Sequence, residues 1–168
     1  MSATHLLLDT HIVLWLDAGN PALRPATRTM LEGHWRAGNA LCVSAVTAWE
    51  IALLVDAGRI ALDLAPEAWL ARFLARPGIE AIALSASAAT RAYPLTGLAQ
   101  RDPADRLLIA TAIELGCPLV TYDDRILAFA AEHGAAIGFT ALAQLEPAGA
   151  AEILARVPDR DPLPGDEL

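Results

Sequence analysis

Short apolar runs that end in a polar residue, each followed by a longer helical stretch, recur along this chain. Leu6-Leu7-Leu8 leads into Asp9-Thr10, Ala40 to Val43 into Ser44, and Leu119-Val120-Thr121 into Tyr122-Asp123. Ile79 to Leu84 alternates like a further strand, and Ala135 to Phe139 reads as a last weak one. The helical stretches between them are Ile12 to Leu16, Pro25 to Ala37, Ser44 to about Ala57, Pro66 to Gly78, Ser85 to Tyr93, Pro103 to Leu115 and Asp124 to His133. Arg59 to Leu64 reads as a brief extended segment, and Thr96 to Asp102 as a polar loop. Alternation of this kind, with short connections, implies a parallel sheet with helices on both faces. Ligands of such sheets bind outside the carboxyl ends of the strands, so the residues just after each strand are the ones to inspect.

The 168 residues suit one domain, expected over residues 1–140, with an appendage over 141–168. In that appendage Ala148 to Val157 reads as a short helix, and Pro158 to Leu168 as an acidic, Pro-rich tail. Hydrophobic residues make up 55% of the chain, enough for a sizeable core, yet no apolar run reaches membrane-spanning length. The start carries no basic segment of a secretory signal, so the expected location is the cytoplasm. Cys42 and Cys117 offer no C-x-x-C spacing. All 12 basic residues are Arg, which excludes Walker-A nucleotide binding and Schiff-base chemistry.

Four acidic residues fall at the mouth this architecture implies. Asp9 follows the first strand, Asp123 follows Leu119-Val120-Thr121, Asp105 lies in the first turn of the helix from Pro103, and Glu50 lies in the second turn after Ser44. Each also has a plainer reading. Asp9, Asp102 and Asp123 suit helix N-caps, and Asp105 suits the positive end of a helix dipole. Glu50 is too deep in its helix to cap it, and its helical neighbours Val46, Thr47, Leu53 and Leu54 make an isolated carboxylate there costly. Carboxylates converging without Lys repel one another. An oxygen-only set of this sort suits Mg²⁺ or Mn²⁺, which also take water and phosphate oxygens.

These residues stand in segments that resemble a known family. Leu6-Leu7-Leu8-Asp9-Thr10-His11 resembles the opening of a PIN domain, the nuclease fold of bacterial VapC-type toxins. Ser44-Ala45-Val46-Thr47-Ala48-Trp49-Glu50-Ile51-Ala52 is similar to that family's S-x-x-x-x-W-E-I-A segment. Arg101-Asp102-Pro103-Ala104-Asp105-Arg106-Leu107-Leu108-Ile109-Ala110 is similar to its R-D-P-x-D-R-L-L-I-A segment, and Leu119-Val120-Thr121-Tyr122-Asp123 to its L-V-T-x-D strand end. The resemblance implies a three-layer α/β/α sandwich, usually dimeric, with a Mg²⁺-dependent ribonuclease site. It assigns Asp9, Glu50, Asp105 and Asp123 as metal-binding and catalytic acids. Thr10 and Thr121 fall where the family often places hydroxyls, and Asp102 belongs to the pattern as a capping or supporting residue. It also implies a small antitoxin partner that wraps the toxin and blocks the acidic groove. Gln100 departs from the family, many of whose members have His before Arg-Asp-Pro.

The expected activity is hydrolysis of RNA phosphodiesters. A haloacid-dehalogenase-like phosphatase is one rival, although it normally needs an Asp where His11 stands. A non-catalytic PIN-like binding module is another. His11 is expected to pack a helix or face solvent, and Trp15 and Trp49 to lie in the core. Trp35 and Trp69 fit the core or an interface equally. The net charge of -8 runs against RNA binding, so Arg24, Arg28, Arg59, Arg101, Arg106 and Arg125 are candidates to line the approach.

Overall fold

A run of three leucines is buried whole only in a strand covered on both faces, and Leu6-Leu7-Leu8 occupies that place. The structure, a computed structural model, describes residues 5–95, 98 and 102–143. Its elements are β1 (His5–Leu8), α1 (Thr10–Ala18), α2 (Pro25–Arg36), β2 (Ala40–Ser44), α3 (Ala45–Asp56), α4 (Pro66–Leu74), β3 (Ile79–Ile82), α5 (Ala86–Ala92), α6 (Pro103–Leu115), β4 (Leu119–Val120), α7 (Asp124–Ile137) and β5 (Ala141–Leu142). The strands form one five-stranded sheet in the order β3-β2-β1-β4-β5, every neighbour parallel.

Side-chain alternation along the strands divides the apolar residues between the two faces. Leu6, Leu8, Leu41, Val43 and Val120 pack with Ile12, Leu31, Trp69 and Phe73 from α1, α2 and α4. Leu7, Ala40, Cys42 and Leu119 pack with Leu108, Ile109, Ile126 and Phe129 from α6 and α7. The result is the three-layer α/β/α sandwich. α5 rests on α6 through small residues, Ala88 and Ala92 against Ala110. Trp69 is pinned as well as packed: its Nε1 donates to Asp17 Oδ2 at 3.0 Å, and Arg76 pairs with the same carboxylate.

The chain first builds outward from β1 through β2 to β3, then returns to β1's other side for β4 and β5. The reversal places a crevice at the carboxyl ends of β1 and β4, where the two connections diverge. Asp9 and Asp123 stand on either side of it.

Two expectations are corrected. Ala135 to Ile137 completes α7, and the last strand is β5, beyond Gly138, whose left-handed φ of 71° ends the helix. Trp49 is 56% exposed and not core. α3 is apolar almost all round, and its buried stripe is Val46, Thr47, Ile51 and Leu54, which turns Trp49 and Leu53 outward. The expected helix at Ala148 to Val157, the acidic tail, Gln100 and Arg101 lie outside the described residues.

Candidate active site

Three of the site's residues are helix caps. Asp9 caps α1, taking the Thr10 amide at 2.6 Å on Oδ1. Asp102 caps α6 through the Ala104 amide at 2.9 Å, and Asp123 caps α7 through the Arg125 amide at 2.9 Å. Asp105, in the first turn of α6, gains from the same dipole. For Asp9 and Asp123 the cap and the candidate chemistry therefore coincide, because a carboxylate placed at a strand end also meets the start of the next helix.

Hydroxyls then join the acids. Thr121 Oγ1 donates to Asp9 Oδ2 at 2.6 Å and accepts the Asp123 amide at 2.9 Å, so one side chain after β4 orients the acids of both strands. Thr10 Oγ1 donates to Glu50 Oε2, tying the acid of α3 to the residue next to Asp9. Asp9 and Asp123 are almost fully buried, and Glu50 and Asp105 are partly buried.

Sequence reading missed two contributors. His11 is buried, not at the surface: its Nε2 accepts the Tyr122 amide at 2.9 Å. That contact leaves the ring's hydrogen on Nδ1, which faces Asp9 Oδ2 at 3.5 Å. The only signal was its place two residues after Asp9. Arg125 holds Asp123 in a two-point grip, Nε to Oδ1 at 3.1 Å and Nη2 to Oδ2 at 2.7 Å, and reaches toward Asp105 Oδ2 at 3.8 Å. The sequence suggests a residue lining the approach; the structure makes it the internal counter-charge of the acids.

One Arg does not balance the cluster. Burial, reinforced by the carboxylates of Asp9, Asp102 and Asp123, pushes Asp105 up to about 8, with Arg125 opposing the shift. The acids are thus oxygen donors short of positive charge, which fits a hard divalent cation. Asp9, Asp105, Glu50 and Asp123 would hold it. Among the described residues, a group whose ligand atoms all lie within 4.8 Å of one another occurs elsewhere, at His5, Cys42 and Glu80. The acidic mouth is the wider arrangement, bridged by Thr10, Thr121 and Arg125.

Comparison with known proteins agrees with this architecture. Residues 6–132 match the PIN domain family. Ribonuclease VapC22 of Mycobacterium tuberculosis is 35% identical over 123 residues, covering 73% of this chain and 90% of that protein. The crystal structure of VapBC2 from Rickettsia felis, bound to a DNA fragment from their promoter, superposes with a TM-score of 0.56 at 18% identity. That match covers 82% of this chain and 97% of the other. The haloacid-dehalogenase reading falls with this match and with His11, whose imidazole is committed to Tyr122 and Asp9. By sequence match and by the five-stranded parallel sheet with its acids at the β1/β4 crevice, the chain belongs to the PIN domain family.

Proposed function

We propose that this protein is a divalent-metal-dependent ribonuclease that hydrolyses RNA phosphodiesters, with Mg²⁺ as the ion and Mn²⁺ as a substitute, and that it is the toxin of a toxin–antitoxin pair. The observation that carries the reading is the linked set Asp9–Thr121–Asp123, with Glu50 and Asp105 beside it, at the crevice of a PIN fold. The 35% identity to a ribonuclease over most of both chains supports the substrate class.

Asp9 and Asp105 would hold the principal cation, with Glu50 and Asp123 completing or orienting its surroundings. When bound, such an ion lowers the pKa of water and stabilises charge on phosphate oxygens. The chain's own residues set the geometry. Thr121 fixes the Asp9 carboxylate by donating to it, and Thr10 does the same for Glu50. Arg125 holds the Asp123 carboxylate in place by its two-point grip. Hydrolysis by water leaves a 5′-phosphate and a 3′-hydroxyl. A 2′,3′-cyclic phosphate would need a general base beside the RNA's own 2′-hydroxyl, and His11 is tied into the core instead.

The partner would be a small antitoxin protein, and the chain would form a homodimer in the cytoplasm. The outward Trp49 and Leu53 of α3 supply apolar surface suited to either contact. The test is cleavage of total RNA by antitoxin-free protein in Mg²⁺, Mn²⁺ or EDTA, comparing wild type with Asp9→Asn. Cleavage that needs metal and vanishes in the variant is the expected result. Metal binding without cleavage of any RNA would favour a binding module, and no metal binding would dissolve the site.

A further inference from the structure

Away from the acids, between the start of β1 and the middle of β2, three adjacent strands bring together residues of different chemistry. The register pairs Cys42 of β2 directly with Glu80 of β3, and pairs His5 of β1 with Ala40, two residues before Cys42 on the same face. One ligand atom from each of His5, Cys42 and Glu80 lies within 4.8 Å of the other two, and His5 Nε2 is 3.8 Å from Glu80 Oε2. Cys42 is fully buried, while the side chains of His5 and Glu80 are 42% and 55% exposed. The sulfur forms the floor of the cluster, and the imidazole and carboxylate form its solvent side. His5 stands four residues before Asp9, about 13 Å away along an extended strand.

The donor set differs in kind from the acidic mouth. Sulfur, imidazole nitrogen and one carboxylate oxygen match a borderline ion of the Zn²⁺ class, not Mg²⁺. Tetrahedral coordination at ordinary bond lengths would hold these donors roughly 3.3–3.7 Å apart. The adjustment needed is small and falls on His5 and Glu80, the two side chains with room to move. A redox role for Cys42 fits poorly: burial, then Cys117 and Glu80, push its thiol up to about 12, far from a reactive thiolate.

We propose that His5, Cys42 and Glu80 form a second metal site, selective for Zn²⁺-class ions, with solvent in the fourth position. On binding, the S–H bond of Cys42 breaks, its proton passes to water and a sulfur–metal bond forms, with no change of oxidation state. The ion would staple β3, an edge strand, to β1 across β2. It would act on stability and not on RNA hydrolysis.

The test uses the full chain, stripped with chelator, in an Asp9→Asn/Asp105→Asn background so that the acids take no ion. Co²⁺ is the probe, because thiolate ligation gives a sulfur-to-cobalt charge-transfer band in the near ultraviolet. The expected result is one Co²⁺ per chain with that band, displaced by Zn²⁺, and a melting temperature raised by Zn²⁺. The band is lost in Cys42→Ala and kept in Cys117→Ala. Affinity falls tenfold or more in His5→Ala and in Glu80→Gln, whose circular dichroism matches the parent. Absence of the band, its survival in Cys42→Ala, or indifference to both His5→Ala and Glu80→Gln would overturn the proposal. None of these outcomes depends on whether the chain cleaves RNA.

Discussion

Thr121 shows how much of the candidate site rests on one hydroxyl. It donates to Asp9 and accepts from the Asp123 amide, so Thr121→Val leaves a buried carboxylate oxygen and a buried N–H without their partner. The variant should lose about 2 kcal/mol in denaturant unfolding. Because the hydroxyl orients two acids, Mg²⁺-dependent cleavage should also fall tenfold or more. Unchanged cleavage with lowered stability would confine Thr121 to the fold. Asp105 makes a second prediction for metal-free protein. Its carboxyl is held up to about 8, above its unfolded value, so the folded state keeps a proton that the unfolded chain releases. Stability is then full below about pH 4 and is lost as pH rises through 8, at up to about 1.4 kcal/mol per pH unit. Melting in EDTA across pH 5 to 9 should show that decline, and Asp105→Asn should flatten it. Asp9 and Asp123 were legible because each sits where a strand hands over to a helix, Asp105 because it stands in the first turn after Asp102-Pro103, and Glu50 because it is a carboxylate in an apolar helix. The roles of His11 and Arg125 were not. The contact from Tyr122 to His11 spans 111 residues of sequence and exists only because β1 and β4 are neighbours.

Elements were legible wherever burial was one-sided or complete. β1, β2 and β4 are apolar runs closed by polar residues, and α6 is bracketed by the Asp102-Pro103 start and Gly116, in left-handed conformation, at its end. The sequence misled where composition was uniform. Ala135-Ala136-Ile137 suits a strand or a helix, and the choice is made by the way α7 ends. There the Phe139 amide donates to the Gly134 carbonyl at 2.9 Å, folding the chain back toward β5. A Cβ on Gly134 would clash with the Phe139 carbonyl oxygen, a backbone atom that cannot swing aside. Gly134→Ala should therefore destabilise the protein by about 1–3 kcal/mol despite the better helix propensity of Ala. Chemical denaturation measures it directly, and a gain in stability would mean that the Phe139 turn is looser than described. α3 misled for a related reason: an almost wholly apolar helix has no period from which to read its outer face.

At the scale of the molecule, net charge sets the problem that an RNA substrate poses. A chain at -8 cannot gather polyanions by long-range attraction, so binding must come from local contacts near the crevice. Arg24 is the candidate for such a contact, because it adjoins the segment that carries Thr121 and Asp123: its guanidinium lies 5.0 Å over the ring of Tyr122, the residue between them, and its amide donates to the Tyr122 hydroxyl. Arg125, by contrast, is spent largely on Asp123. With two or three Arg–phosphate contacts, single-stranded RNA affinity should fall with log[salt] at a slope of about -1.5 to -2, at about -0.7 per neutralised phosphate. The measurement is binding of a non-cleavable RNA to Asp9→Asn protein at fixed Mg²⁺ across a salt series. Arg24→Ala should weaken binding and reduce the slope by about 0.7, the loss of one phosphate contact. A steep slope, near that of a basic RNA-binding protein, would place extensive phosphate contacts outside the crevice and remove Arg24 from its central position. A slope unchanged by Arg24→Ala would leave this Arg as a structural partner of Tyr122, with the approach of the RNA governed by other residues.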